Sequence, residues 1–262
     1  MEEAHATYFA PEQLGVGVKA GIAVLIHGLR LMMLIFPNFV FVSLDTRNAH
    51  NEFDRNKCFE AYAKLLTEVA DNAAELEDSG RRAAGKQLGL LLPYIHAYLA
   101  PEARVIKGGS AQGAQFLQNR SSKGGAQGAP GSSPEYCMTT HSAVKRLNAA
   151  VAGADGAARF YSDNGFIAGP PHLVWPAVET YGHDLAALQL EFRLSASMCF
   201  SPNGNYGARP ENCPIGVLFN DDGTLAGNGL NICNIPVGNV GYIQRFLSLK
   251  SINIMSNINS IK

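Results

Sequence analysis

Apolar runs separated by short polar turns set the pattern of this chain. Phe39-Val-Phe-Val-Ser-Leu-Asp45 is almost wholly apolar and closes on a carboxylate, which predicts a buried strand. Ala158-Arg-Phe-Tyr-Ser-Asp-Asn-Gly-Phe-Ile-Ala-Gly169 sets Asp163-Asn164-Gly165 between two apolar runs. Asn-Gly in that setting is the strongest short-range hairpin signal, because both central residues of a type I′ turn need positive φ. Asp163 is therefore expected at a hairpin tip. Helical periodicity covers Ile22 to Phe36, Arg55 to Leu76 and Leu88 to Leu99, the last kinked or started at Pro93. In the second of these, Phe59, Tyr62, Ala63, Leu66, Val69 and Ala70 share one face. Pro37-Asn38 stops the first helix and starts the strand.

Further along, Ser133-Pro134-Glu135 opens a helix through Leu147, with Ser133 as its N-cap and Pro at the first helical position. Leu173 to Leu190 is another helix, apart from Pro176. Phe192 to Phe200, Gly216 to Phe219 and Leu230 to Ile235 read as strands, the last two around an Asn220-Asp-Asp-Gly-Thr turn. Tyr242 to Leu249 begins a final helix. Two stretches break the pattern. Residues 107–133 are dominated by Gly, Ser, Gln and Ala, and such a composition predicts a flexible loop. Residues 250–262 are rich in Asn, Ser and Ile without caps or period, and read as an unstructured tail.

Composition narrows the function. The chain has 262 residues, enough for one large domain or two small ones with a sizeable core. It is 47% hydrophobic and 16% charged, with net charge −1, so no global basic field announces a nucleic-acid partner. Five scattered cysteines lack metal-finger spacing and suit reduced thiols inside a cell. The start, Met-Glu-Glu-Ala-His, lacks the basic and apolar regions of a secretory signal. The longest apolar run, Leu29 to Val42, is broken by Arg30, Pro37 and Asn38, which argues against a membrane span. An intracellular protein, cytoplasmic or nuclear, is expected.

Candidate chemistry rests on two carboxylates. Strands that bring Asp45 and Asp163 to the same sheet end can hold a divalent metal, since Mg²⁺ favours one or two carboxylates completed by water and phosphate. The other reading makes Asp-Asn-Gly simply good turn chemistry. The Gly-rich Gln13-Leu-Gly-Val-Gly-Val-Lys-Ala-Gly21 has the spacing G-x-G-x-x-x-G with no strand before it, unlike a dinucleotide fingerprint. Arg81, Arg82 and Lys86 form a basic cluster: a solvated helix face or a phosphate contact.

Taken in order, these motifs resemble the reverse transcriptase domain of non-LTR retrotransposon-like elements, from about residue 10 to about residue 247. Gln13-Leu-Gly-Val-Gly-Val with Gly21 and His27 is similar to the fingers segment. Phe41-Val-Ser-Leu-Asp45-Thr-Arg-Asn-Ala-His50 is similar to the first palm motif, whose Asp binds catalytic metal. Gly124-Gly-Ala-Gln-Gly-Ala-Pro130 resembles the Gln-Gly-Asp-Pro motif, and Phe160-Tyr-Ser-Asp163-Asn164 resembles the Tyr-x-Asp-Asp hairpin. Leu190 to Pro202 is similar to the following palm segment, and Asn234-Ile-Pro-Val-Gly-Asn239 to the hairpin that grips the primer.

The resemblance implies an α+β fold: a palm-like antiparallel sheet with helices packed on one face. It implies a partial fingers segment over 1–36, a palm over 37–249 and no thumb. It implies catalysis by Asp45, Asp163 and Asn164, with Mg²⁺ or Mn²⁺ on Asp45 and Asp163. Arg47, His50, Gln127, Gly128 and Pro130 would bind the nucleotide, and the partners would be an RNA template, a DNA primer and deoxynucleoside triphosphates. For Arg47 the competing reading is a surface ion pair with Glu52. Departures from the pattern sit at chemical positions: Asn164 for the second hairpin Asp, Ala129 for the Asp of Gln-Gly-Asp-Pro, His50 for the aromatic that excludes a ribose 2′-hydroxyl, Met198 for Lys and Ala23 for Glu. They imply a degenerate, truncated copy with impaired RNA-directed DNA polymerase activity. The alternatives are a non-catalytic nucleic-acid-binding palm remnant and a pseudogene product.

Overall fold

A computed structural model describes residues 2–71, 79–99, 103–107, 117–125 and 131–260. Its centre is an antiparallel sheet in the order β4-β5-β1-β6, with β7 also on β1. The strands are β1 (Val40–Arg47), β4 (Ala157–Tyr161), β5 (Asn164–Gly169), β6 (Glu191–Phe192) and β7 (Cys199–Phe200). Between β1 and β4 in sequence lies a separate pair, β2 (Ala103–Lys107) and β3 (Leu117–Ser121). The helices are α1 (Glu2–Phe9), α2 (Gly21–Ile35), the one-turn α3 (Ala49–Glu52), α4 (Arg55–Asp71), α5 (Ser79–Gly89), α6 (Leu92–Leu99), α7 (Ser132–Ala152), α8 (Pro171–Ala187) and α9 (Val240–Asn259). A three-stranded sheet, β10-β9-β8, completes the fold, from β8 (Val217–Phe219), β9 (Leu225–Ile232) and β10 (Ile235–Gly238).

Strand alternation gives β1 two different faces. Val40, Val42 and Leu44 point into the main core, where α4, α7 and α8 contribute Tyr62, Tyr136, Leu147, Val178 and Leu185. Phe41 points the other way. It joins a second core with Phe166, Phe200, Leu25 and Leu29 of α2, and Leu230, Ile232 and Val237 of β9 and β10. Both faces of the sheet are thus covered, one by helices α7 and α8, the other by α2 and the smaller sheet. The α+β antiparallel class expected from the sequence is observed.

Several boundaries move. The segment Leu88 to Leu99, expected to be kinked or started at Pro93, divides between the end of α5 and α6, with Pro93 in the first turn of α6, where its missing N–H is tolerated. On α4 the buried face is Cys58, Tyr62 and Leu65, one step round from the expected stripe; Leu66 is exposed, and the side chains of Val69 and Ala70 lie outside the described residues. α7 starts at Ser132, with Gly131 rather than Ser133 at the N-cap. Residues 192–200 are two short strands around a 3₁₀ turn rather than one strand. The expected loop 107–133 contains β3, and Gly124 and Gly125 donate to the backbone oxygens of Phe53 and His50, both at 2.8 Å. Composition misses these because the pairing partners are distant in sequence. The expected tail also differs. α9 runs without a break to Asn259, its Asn239 cap accepting from the Tyr242 N–H at 2.9 Å. No Gly or Pro interrupts it after Gly241, so a capped, packed first half propagates into residues that have no packing of their own.

Candidate active site

The register of β1 against β5 builds the site. Asp45 lies directly opposite Asn164, and Asn164 in turn opposite Tyr161 of β4. The β4–β5 turn is therefore Ser162-Asp163, two residues upstream of Asn-Gly. Ser162 carries the positive φ, +58°, at the first central position. Gly165 serves another purpose than the expected φ > 0. A Cβ there would stand 2.4 Å from the Phe160 ring, so Gly165 makes room for that ring in the core. Asp163 does sit at the hairpin tip, as the sequence implied.

Alternation then aims the chemistry. Residues 41, 43 and 45 share one face of β1, with Phe41 buried beneath the second core and Asp45 exposed beyond its edge. Asp45, Asp163 and Asn164 line a cavity of about 550 Å³ together with His50, Ser162, Met198, Cys233 and Asn234. The far wall is the β9–β10 turn, where Cys233 and Asn234 both take positive φ, +52° and +63°, the signature of a type I′ turn. Met198 is held at the rim because its backbone N–H donates to Ser43 Oγ at 2.9 Å and its carbonyl accepts from the Ser43 N–H at 2.8 Å. A larger, apolar groove of about 910 Å³ runs along α8; its lining has one carboxylate, Glu179, and no acidic pair.

Electrostatics couple the two aspartates. Burial and the charge of Asp163 together raise the Asp45 carboxyl above its ordinary pKa. Burial also pushes Asp163 upward, but hydrogen bonding from His50 and Asn164 outweighs it and leaves Asp163 below the usual range. The His50 Nε2 stands 3.7 Å from Asp163 Oδ1 and 3.3 Å from Ser162 Oγ. Pairing with Asp163 raises the His50 pKa. Asn164 Nδ2 donates to Asp163 Oδ1 at 3.2 Å.

The remaining expected residues fall elsewhere. Arg47 is not among the cavity's lining residues and pairs with Glu191 of β6 at 2.6 Å, so its partner is Glu191 rather than Glu52. Glu52 instead accepts from Asn48 Nδ2 at 2.9 Å. Gln127, Gly128, Ala129 and Pro130 lie outside the described residues. Arg81 is no solvated cation: it donates to Tyr8 O at 2.7 Å and to Glu12 Oε2 at 2.8 Å, tying the N-terminal segment to α5. Sequence reasoning missed Glu135, which is fully buried in α7 with neither carboxylate oxygen hydrogen-bonded, and whose pKa burial pushes up to about 7. Its only signal was position, one residue after Pro134. Among the described residues, no three His, Cys, Asp or Glu side chains are grouped to hold an ion by themselves. The donor set at the cavity fits an ion that completes its shell with water and substrate oxygens, because it offers two mutually coupled carboxylates.

No family profile and no curated protein matches the sequence. Solved structures do. The chain is similar to apo telomerase from Candida tropicalis truncated from its C-terminal domain, at 11% identity and a TM-score of 0.55, over 92% of this chain and 42% of that one. It is also similar to apo telomerase from Candida tropicalis, at 10% identity and a TM-score of 0.52, over 90% and 38%. A third is telomerase from Candida albicans in complex with a TWJ fragment of telomeric RNA, at 12% identity and a TM-score of 0.51, over 90% and 35%. The chain thus spans less than half the length of these structures. At such identity the likeness shows a shared fold alone. All five cysteines are free, and among the described residues no helix is long and apolar enough to cross a membrane.

Proposed function

We propose that the chain is a reverse-transcriptase-type palm derived from a non-LTR retrotransposon-like element, acting on an RNA template, a DNA primer and deoxynucleoside triphosphates with impaired activity. One observation carries this reading: Asp45 and Asp163, far apart in sequence, face one cavity on adjoining strands, and the charge of one raises the pKa of the other. The telomerase-like fold supports it.

Under this reading Asp45 and Asp163 hold Mg²⁺ or Mn²⁺. An ion held there would supply positive charge for the attacking hydroxyl and the phosphoryl oxygens. Asn164 orients the Asp163 carboxylate through its amide N–H and adds an oxygen without charge. His50, when protonated, supplies a positive charge beside Asp163. Met198 offers no proton or cation where the family pattern has Lys, which supports impairment. The test is primer extension on an RNA template in Mg²⁺ or Mn²⁺. Extension by the wild type that Asp163→Ala abolishes is the expected result, and equal extension by the two overturns polymerase function.

A non-catalytic nucleic-acid-binding palm remnant is favoured by one specific feature, the loss of a negative charge at Asn164 in a cavity where His50 stands 3.7 Å from Asp163. Template binding that weakens steeply with salt, without any extension, distinguishes it.

A further inference from the structure

We infer that Gln13 is a positioning residue for the turn that carries Asp163, and that the Gly-rich segment around it is a strap built to reach that turn; the inference rests on the proposed role of Asp163. Segment 12–14 lies parallel to β4: Phe160 N–H donates to Glu12 O at 2.8 Å and Leu14 N–H to Phe160 O at 2.7 Å. The Gln13 side chain continues this ladder beyond the end of β4. Its Nε2 donates to Ser162 O at 2.9 Å, while its Oε1 accepts from the Ser162 N–H at 2.8 Å. Gln13 is 2% exposed. Only a primary amide offers a donor and an acceptor side by side in the geometry of a backbone partner.

The residue so gripped is the strained one. Ser162 holds a left-handed backbone without being glycine, a conformation that persists only where the surroundings enforce it. Both of its backbone polar groups are taken by Gln13, and the next residue is Asp163. The glycines explain how the strap comes close enough. A Cβ on Gly15 would stand 2.4 Å from Ser162 N, and one on Gly21 would stand 2.0 Å from Leu14 O, where the strap folds back to start α2. The strap is anchored upstream by the ion pair of Glu12 with Arg81 at 2.8 Å, both side chains largely buried. The G-x-G-x-x-x-G spacing is thus a close-approach device between two backbones.

Two measurements on the full chain decide the point. Mn²⁺ affinity is read by electron paramagnetic resonance, and the Ser162 amide by hydrogen exchange in metal-free protein. Gln13→Leu removes both bonds, Gln13→Glu keeps only the acceptor, and Arg81→Met loosens the strap without touching Ser162. The expected result is an affinity loss of about tenfold for Gln13→Leu and a smaller one for Gln13→Glu. Arg81→Met should keep wild-type affinity, and Ser162 exchange should quicken in Gln13→Leu alone of the first and third variants. A merely structural Gln13 would behave like Arg81→Met, and unchanged Ser162 exchange in Gln13→Leu overturns the inference. If wild type and Asp163→Asn bind Mn²⁺ equally, the metal role of Asp163 fails instead, and the exchange measurement still decides what Gln13 does.

Discussion

Asp45 and Asn164 are directly paired across β1 and β5, so the one uncharged member of the acidic group lies beside the more exposed aspartate. Like charges directly opposite destabilise a strand pair by roughly 0.2–1 kcal/mol. Asn164→Asp should therefore lower metal-free stability by about that amount and raise the Asp45 pKa further. The same variant should tighten Mn²⁺ binding and increase primer extension. Chemical denaturation with and without Mn²⁺ checks the sign, which should reverse on adding the ion. A variant that is less stable in both conditions contradicts the metal reading.

Gly165→Ala tests the reassigned glycine. The new methyl meets the buried Phe160 ring, and overpacking of this kind costs about 1–3 kcal/mol. Adding Phe160→Leu should recover part of the loss, because it vacates the contested volume. A turn-forming role for Gly165 would predict no recovery, so urea midpoints of the two variants discriminate.

Glu135 makes stability depend on pH. Its folded pKa lies near 7, above the ordinary value of 4.5. The folded chain therefore keeps a proton that the unfolded chain releases, and this advantage is fully present below about pH 4.5 and is lost as pH rises through about 7. Glu135→Gln should flatten that decline and be relatively more stable at about pH 8 than at about pH 5. Parallel slopes for the two proteins would show that Arg55, whose charge opposes the shift, already holds the carboxylate ionised.

The outer half of α9 should be dispensable for stability. Ser251 through Ser260 are all exposed, and surface changes of this sort stay within about 0.5 kcal/mol. Deleting residues 251–262 should leave the melting temperature nearly unchanged, whereas Tyr242→Ala, which removes a buried ring, should cost about 3–5 kcal/mol.

The two aspartate-bearing segments were legible because each couples an apolar run to a local turn or breaker, and that information is contained in a few adjacent residues. Pro37-Asn38 and the Asn220–Thr224 turn were legible for the same reason. Asp163 at the hairpin tip was legible too, but the central pair of the turn was not, because Asn-Gly favours a turn only until Phe160 claims the space beside Gly165 and Gln13 fixes Ser162. Arg81 read as a surface charge because its partners, Tyr8 and Glu12, lie on a helix and a loop far upstream. Gln13 and Glu135 share that difficulty: the importance of each lies in what another segment does, or fails to do, with its polar atoms. α9 was underestimated because its continuation depends on a cap and on packing nearer its start.

Cys233 and Asn234 lie on the β9–β10 turn of the smaller sheet, whereas Asp45 and Asp163 lie on β1 and the β4–β5 turn of the larger one. The two sheets are joined twice over: Cys199 N–H donates to Pro214 O, Gly216 N–H to Cys199 O and Gly229 N–H to Gly216 O, and Leu230, Ile232 and Val237 share a buried core with Phe41 and Phe166. The gap between thiol and carboxylates is therefore set by apolar packing beneath the cavity, and the pairing of Asp45 with Asn164 by strand register.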